Sequence, residues 1–159
     1  MIFVTLGTQD KSFVRLLKEI DKLIDDGIIN DEVVVQSGYT KYNSKNMKIL
    51  DFIPFDEFNT YLEKSNYIIT HGGVGSILTS ITMDKKVIAV SRLKEFNEHE
   101  NNHQVEIVSR FNDMRYILGC LQVKDINDAV LKIESFVPQP YRSNNEQFCN
   151  QIAEEIDKR

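Results

Sequence analysis

Thr70-His71-Gly72-Gly73-Val74-Gly75-Ser76 follows the apolar run Tyr67-Ile68-Ile69 and puts three glycines within four residues where a strand should turn into a helix. The first N–H groups of a helix lack intrahelical partners and its dipole is positive at that end, so such a turn binds anionic oxygens. His71 opens the turn and Ser76 closes it, each able to donate to a phosphate oxygen. His71, Gly72, Gly73, Gly75 and Ser76 therefore read as a cradle for a diphosphate. The alternative is a glycine turn needed only for tight strand-to-helix packing. The run matches neither G-x-G-x-x-G nor G-x-x-x-x-G-K-[ST], so it supports neither a dinucleotide fingerprint nor a P-loop.

Glu98-His99-Glu100-Asn101-Asn102-His103-Gln104 is the second group. With His71 it holds all three histidines of the chain. His103 and Gln104 together offer the donors and acceptors that a hydroxyl-rich ligand needs. The alternative is a solvated loop entering a helix, with Asn101 or Asn102 as its cap. His99, Glu100 and His103 also spell H-E-x-x-H, which on one helix face holds zinc with the glutamate as base. Asparagine favours caps over helix interiors, which sets His99 and His103 apart and argues against a zinc hydrolase.

Two further segments complete the candidates. In Leu6-Gly7-Thr8-Gln9, Gly7 directly after a strand lets a ligand approach the backbone, while Thr8 suits either a ligand or the N-cap of the next helix. In Asp51-Phe52-Ile53-Pro54-Phe55, the backbone of Phe52 and Ile53 could contact a base, whereas the side chains of Phe52 and Phe55 are expected in the core.

These residues need a scaffold. Strands are expected at 2–6, 32–36, 48–53, 66–70, 87–90 and 116–121. Helices are expected over 13–24, 56–64, 74–83, 102–111, 126–136 and 144–158, from apolar residues at helical spacing. Strands alternating with helices imply an α/β fold: a Rossmann-like parallel sheet with helices on both faces. Ligands bind such sheets beyond the carboxyl ends of the strands, where Gly7-Thr8, Phe52-Ile53, the glycine turn and the segment after Val90 all fall.

With 159 residues the chain is expected to form one domain, 1–159, burying about two-thirds of its unfolded surface. A formal charge of −5 argues against nucleic acid as partner. Cys120 and Cys149 match no metal or redox spacing and are expected as reduced thiols in the cytosol. No metal or cofactor is expected. No apolar run approaches the roughly 20 residues that span a bilayer, and no signal segment is evident. Membrane association is therefore expected only through a partner or a surface contact.

Taken in order, these motifs resemble the glycosyltransferase family 28 C-terminal domain, the donor-binding half of a GT-B glycosyltransferase, over nearly the whole chain. His71, Gly73 and Ser76 are similar to that family's diphosphate-contacting H-x-G-x-x-S element. His103-Gln104 is similar to the pair that holds the donor-sugar hydroxyls, Phe52-Ile53 to the segment whose backbone reads uracil, and Gly7-Thr8 to its first glycine turn. The opening Met1-Ile2-Phe3-Val4-Thr5-Leu6-Gly7-Thr8 resembles stand-alone subunits that begin at this half. One group serves dolichol-linked N-acetylglucosaminyl transfer. The bacterial group, galactosyl transfer for capsule and exopolysaccharide, is the more similar in the segment from Arg92 to Gln104. Thr79 stands where family members often carry a ribose-binding glutamate.

The resemblance implies a UDP-hexose donor, expected to be UDP-galactose, and a lipid-diphosphate-linked saccharide acceptor. A half-domain implies a membrane-anchored partner that supplies the acceptor lobe and recruits the chain from the cytoplasm to the inner face of the plasma membrane. Backbone donors from Gly72 to Ser76, with His71, would stabilise the departing UDP. Glu98 and His99 are the candidate catalytic bases within this chain, the other lobe being the alternative source. Glu98, His99, His103 and Gln104 would orient the sugar. The competing class is a non-catalytic, regulatory nucleotide-sugar-binding module.

Overall fold

The computed structural model describes residues 1–141. Along these the chain runs β1 (Ile2–Thr5), α1 (Val14–Asp25), β2 (Val33–Gln36), β3 (Met47–Leu50), α2 (Phe55–Lys64), β4 (Tyr67–His71), α3 (Val74–Thr82), β5 (Lys86–Val90), α4 (His103–Asp113), β6 (Leu118–Cys120) and α5 (Ile126–Lys132). Short 3-10 turns occupy Lys94–Phe96 and Val123–Asp125. The expected helix over 144–158, with its Phe148, Ile152 and Ile156 stripe and Cys149, lies outside the described residues.

The six strands form one sheet in the order β3-β2-β1-β4-β5-β6, every pair parallel. This is the doubly wound order, and its direction reverses between β1 and β4. There Val4 pairs with Ile69 and Thr5 with Thr70, so Gly7 and His71 leave the sheet side by side.

Each central strand is buried on both faces, which is why its sequence reads as an unbroken apolar run. Alternation still sorts the side chains. Ile2 and Val4 face Leu16, Leu17 and Ile20 of α1 and Ile126 of α5. Phe3 faces the opposite layer, built from Leu62 of α2, Ile77 and Ile81 of α3 and Val108 and Phe111 of α4. Burying a side chain of this kind stabilises the fold by about 1.5–3 kcal/mol, so both helical layers are held by apolar packing. That packing fixes the strand ends.

Several boundaries differ from expectation. β3 stops at Leu50, three residues before Ile53. The Asp51 carbonyl turns aside to accept from the Gly38 N–H and the Gln36 amide, and Pro54 then serves as N-cap of α2. α1 starts at Val14 with Phe13 as N-cap residue, so Thr8 does not cap it. After β5, Ser91, Arg92 and Leu93 are buried even though they lie outside any strand or helix. Cys120 is a buried free thiol, and burial raises its pKa to about 12.

Candidate functional site

A cleft of about 540 Å³ opens at the reversal point, between the ends of β1 and β4. Gly7, Thr8 and Gln9 form one bank, and His71, Gly73, Gly75, Ser76 and Thr79 form the other. Thr5 and Gln36 line it too, and Phe52, Ile53, Phe55 and Phe58 make an apolar wall. Nine of the fourteen residues expected at the site therefore share one cleft: Gly7, Thr8, Phe52, Ile53, His71, Gly73, Gly75, Ser76 and Thr79.

The glycines fit around the histidine. A β-carbon on Gly7 would stand 2.5 Å from His71 Nε2, and one on Gly73 would overlap the same edge of the ring. Gly7 also has φ +75°, a conformation costly for other residues. Two glycines thus leave room for the His71 imidazole, which is buried and lines the cleft. Its Nε2 lies 3.4 Å from Ser76 Oγ and its Nδ1 3.2 Å from Gln104 Nε2. Burial, then the charges of Arg92 and His99, lower the His71 pKa to about 3. The ring is therefore neutral near pH 7.

α3 begins beside it. Gly73 occupies its N-cap with no side-chain cap, so the first N–H groups keep the donor capacity that an anion would use. A β-carbon on Gly75 would meet nothing within 4 Å. One turn on, the Thr79 hydroxyl donates to the Gly75 carbonyl at 2.8 Å. With its proton so engaged, Thr79 can only accept from a ligand hydroxyl, a narrower capacity than the two oxygens of a glutamate.

The expectation that Phe52 and Phe55 are core residues is corrected. They are 53% and 75% exposed, and Phe52 meets Tyr39 edge-to-face at 5.0 Å between centroids. The early end of β3 turns both rings outward, where their flat faces can stack on a heterocycle. Gln36, Thr5 and Gln9 were not singled out in the sequence. Gln36 links three strand ends by accepting from Thr5 Oγ1 at 2.7 Å and donating to the Gly7 and Asp51 carbonyls at 3.3 and 3.1 Å. A polar residue closing a run of valines was the available signal.

The second group is not brought into the cleft as expected. Gln104 is 2% exposed, and its Oε1 accepts from the Gly72 and Arg92 N–H groups at 3.1 and 3.0 Å. Contrary to the expectation that it holds sugar hydroxyls, Gln104 supports the glycine turn from behind. Gly72 admits it, since a β-carbon there would lie 3.0 Å from Gln104 Cβ and 2.8 Å from Val108 Cγ2. Glu98 is likewise corrected as a base. Its carboxylate pairs with Arg15, and Oε1 also accepts from the Leu93 N–H at 3.0 Å. It borders a separate polar cleft with Lys11, Arg15 and Phe96.

His99 is half-buried, and its Nδ1 accepts from the Asn101 N–H at 3.3 Å. Burial and then Arg92 lower its pKa. His103 is the first residue of α4, and Asn101 Oδ1 accepts its N–H at 3.0 Å. His99 thus precedes the helix on which H-E-x-x-H would need it, and the zinc geometry is not formed. Among the described residues no group of three or more His, Cys, Asp or Glu could hold a metal ion.

Arg92, marked in the sequence only as the start of a segment, lies two residues past the end of β5. It is 1% exposed and donates to the carbonyls of Leu6 (2.6 Å), Lys11 (2.8 Å) and Glu98 (3.2 Å). Its guanidinium sits 5.1 Å from the Phe13 ring centroid. Burial lowers its pKa to about 10 against the raising effect of Glu98, so it remains a cation at neutral pH.

The family model described as glycosyltransferase family 28 C-terminal domain matches residues 1–158. The chain is 26% identical over 120 residues to the UDP-N-acetylglucosamine transferase subunit ALG13 of Candida albicans, covering 76% of this chain and 37% of that one. For the subunit of the same name in Debaryomyces hansenii the identity is 28% over 102 residues, covering 64% and 43%. The chain thus spans less than half the length of these two curated relatives. Among solved structures, the NMR solution structure of ALG13 aligns with a TM-score of 0.63 at 19% identity, over 98% of this chain and 96% of that one. The glycosyltransferase SnogD from Streptomyces nogalater aligns with a TM-score of 0.58 at 16% identity, over 99% of this chain and 39% of that one. At these identities the structural likeness is one of fold.

Proposed function

This chain belongs to the glycosyltransferase family 28 C-terminal domain family, and from that we propose that it forms the nucleotide-sugar-binding half of a UDP-sugar-dependent hexosyltransferase. The observation that carries this is the cleft between β1 and β4, where an uncapped helix start, a neutral histidine and two exposed phenylalanines meet. Its donors suit a diphosphate, and the Phe52 and Phe55 rings suit a uracil, which stacks on aromatic faces. The ribose would lie between them, near Thr79.

Transfer displaces UDP from the anomeric carbon by an acceptor hydroxyl. Negative charge grows on the diphosphate as the bond to the sugar breaks, and donors already aimed at those oxygens lower the barrier. The N–H groups at the start of α3, the His71 ring and the Ser76 hydroxyl take that role. The acceptor hydroxyl must also lose a proton. His71 is the single titratable side chain among the described residues lining the cleft, and it is too weak a base. On this proposal the general base would come from a second lobe, which would also hold the acceptor.

On this proposal the partner is a membrane-anchored subunit, the acceptor a lipid-diphosphate-linked saccharide, and the complex sits at the inner face of the plasma membrane in capsule or exopolysaccharide synthesis. Galactose is the hexose expected from the segment Arg92 to Gln104. The names of the curated relatives make N-acetylglucosamine its first competitor. A non-catalytic sensor would bind the same ligand, and the lack of a base among the cleft residues suits it as well. Calorimetry with UDP on the chain and on its complex tests the binding. A donor panel of UDP-galactose, UDP-glucose and UDP-N-acetylglucosamine with co-expressed partner then tests transfer. Absence of heat with UDP in both samples overturns the proposal, and binding without turnover in the complex favours the sensor.

A further inference from the structure

We propose that Gln104 is a positioning residue that fixes the ring proton of His71 on Nε2, so that the imidazole meets a diphosphate oxygen as a neutral donor. The role for that proton rests on the diphosphate-binding proposal above, whereas the placement of the proton rests on geometry alone.

The Gln104 amide can point only one way. Its Oε1 stands 3.1 Å from the Gly72 nitrogen and 3.0 Å from the Arg92 nitrogen, both of which carry hydrogens. Turning the amide over would set an NH₂ against two N–H donors and lose two hydrogen bonds in a site closed to water. The NH₂ therefore faces His71 Nδ1 at 3.2 Å and donates to it. A nitrogen that accepts carries no proton, so in a neutral ring the proton is on Nε2.

Nε2 is the edge that lies against Gly7 and Gly73, both of which line the cleft. Ser76 Oγ, 3.4 Å away, is then an acceptor from Nε2–H and can turn its own proton outward. Arg92 and His99 are the charged or titratable neighbours acting on the ring, and both disfavour a second proton there. The hydrogen bonds running from the Arg92 and Gly72 N–H groups through Gln104 to His71 thus convert two backbone donors into the orientation of a third. This arrangement also gives a reason for a buried glutamine in the first turn of α4 that sugar recognition does not supply.

The test is nitrogen NMR of the full chain with labelled histidine at pH 7.5, the His71 signals being assigned against His71→Gln. Wild type should show a protonated Nε2 and a bare Nδ1. Gln104→Glu keeps an acceptor for Gly72 and Arg92 but offers Nδ1 a second acceptor, so Nδ1 should become protonated and UDP affinity should fall about tenfold or more, the scale of one hydrogen bond to a charged group. Gln104→Met, without donor or acceptor, should show both tautomers and serves if the glutamate variant does not fold. A bare Nε2 in wild type overturns the proposal, as does a Gln104→Glu protein whose Nδ1 stays bare. Unchanged UDP affinity with Nε2 stripped of its proton also overturns it. If wild type carries the proton on Nε2 yet binds no UDP, the functional proposal fails and the role of Gln104 in placing the proton stands.

Discussion

Glu98 and Arg15 meet in a two-pronged ion pair, with Oε2 2.7 Å from Nε and Oε1 2.8 Å from Nη2, although 83 residues separate them in sequence. The glutamate is almost wholly enclosed while the arginine keeps partial contact with solvent. The pair ties the start of α1 to the turn after β5, and the Arg15 guanidinium also lies 3.8 Å over the Phe96 ring.

Removing the carboxylate leaves a partly buried cation and the Leu93 N–H without their acceptor. Glu98→Ala should destabilise the fold by about 3–5 kcal/mol, measured by urea unfolding at pH 7.5. A variant as stable as wild type but without transfer activity would instead restore Glu98 as a base.

His71 makes stability depend on acidity. Its folded pKa of about 3 lies below the ordinary 6.5, so the unfolded chain binds the proton more readily. Stability should hold above pH 6.5 and fall at lower pH by up to about 1.4 kcal/mol per unit from this group. His99, also lowered, acts in the same direction. Urea midpoints at pH 7.5 and 5.5 should drop less in His71→Gln than in wild type, and equal drops would refute the assignment.

Two glycines of the same turn should respond oppositely. Gly73 has φ −79°, which any residue adopts, so Gly73→Ala acts only by driving its new carbon into the imidazole. It should weaken UDP binding at least tenfold in calorimetry, one hydrogen bond to a charged group being at stake. Gly75→Ala meets empty space inside a helix and should raise stability by about 0.5–1 kcal/mol. Equal behaviour of the two variants would remove the imidazole as the reason for Gly73.

Strand and helix placement was legible because it depends on local periodicity, which the buried strands and amphipathic helices display openly. The glycine turn was legible because three clustered glycines have few uses at a strand end. The office of Gln104 was not, because it depends on two N–H groups, one 32 and one 12 positions away, converging on one oxygen. Phe52 and Phe55 misled for a different reason. Aromatic rings near a strand usually enter the core, and only the turn of the chain at Asp51 sends these outward. The anchoring role of Arg92 was not legible either, because two of the carbonyls it holds, those of Leu6 and Lys11, lie 86 and 81 positions away in sequence.

Leu6 and Lys11 lie in the connection between β1 and α1 and Glu98 in the one after β5, and the Arg92 guanidinium rivets these two stretches together before any guest arrives. On the proposed function, an incoming pyrophosphate would meet the Gly7–Gln9 bank already pinned on either side, at Leu6 and Lys11, during folding, and its affinity would not be diminished by the entropy of ordering that loop.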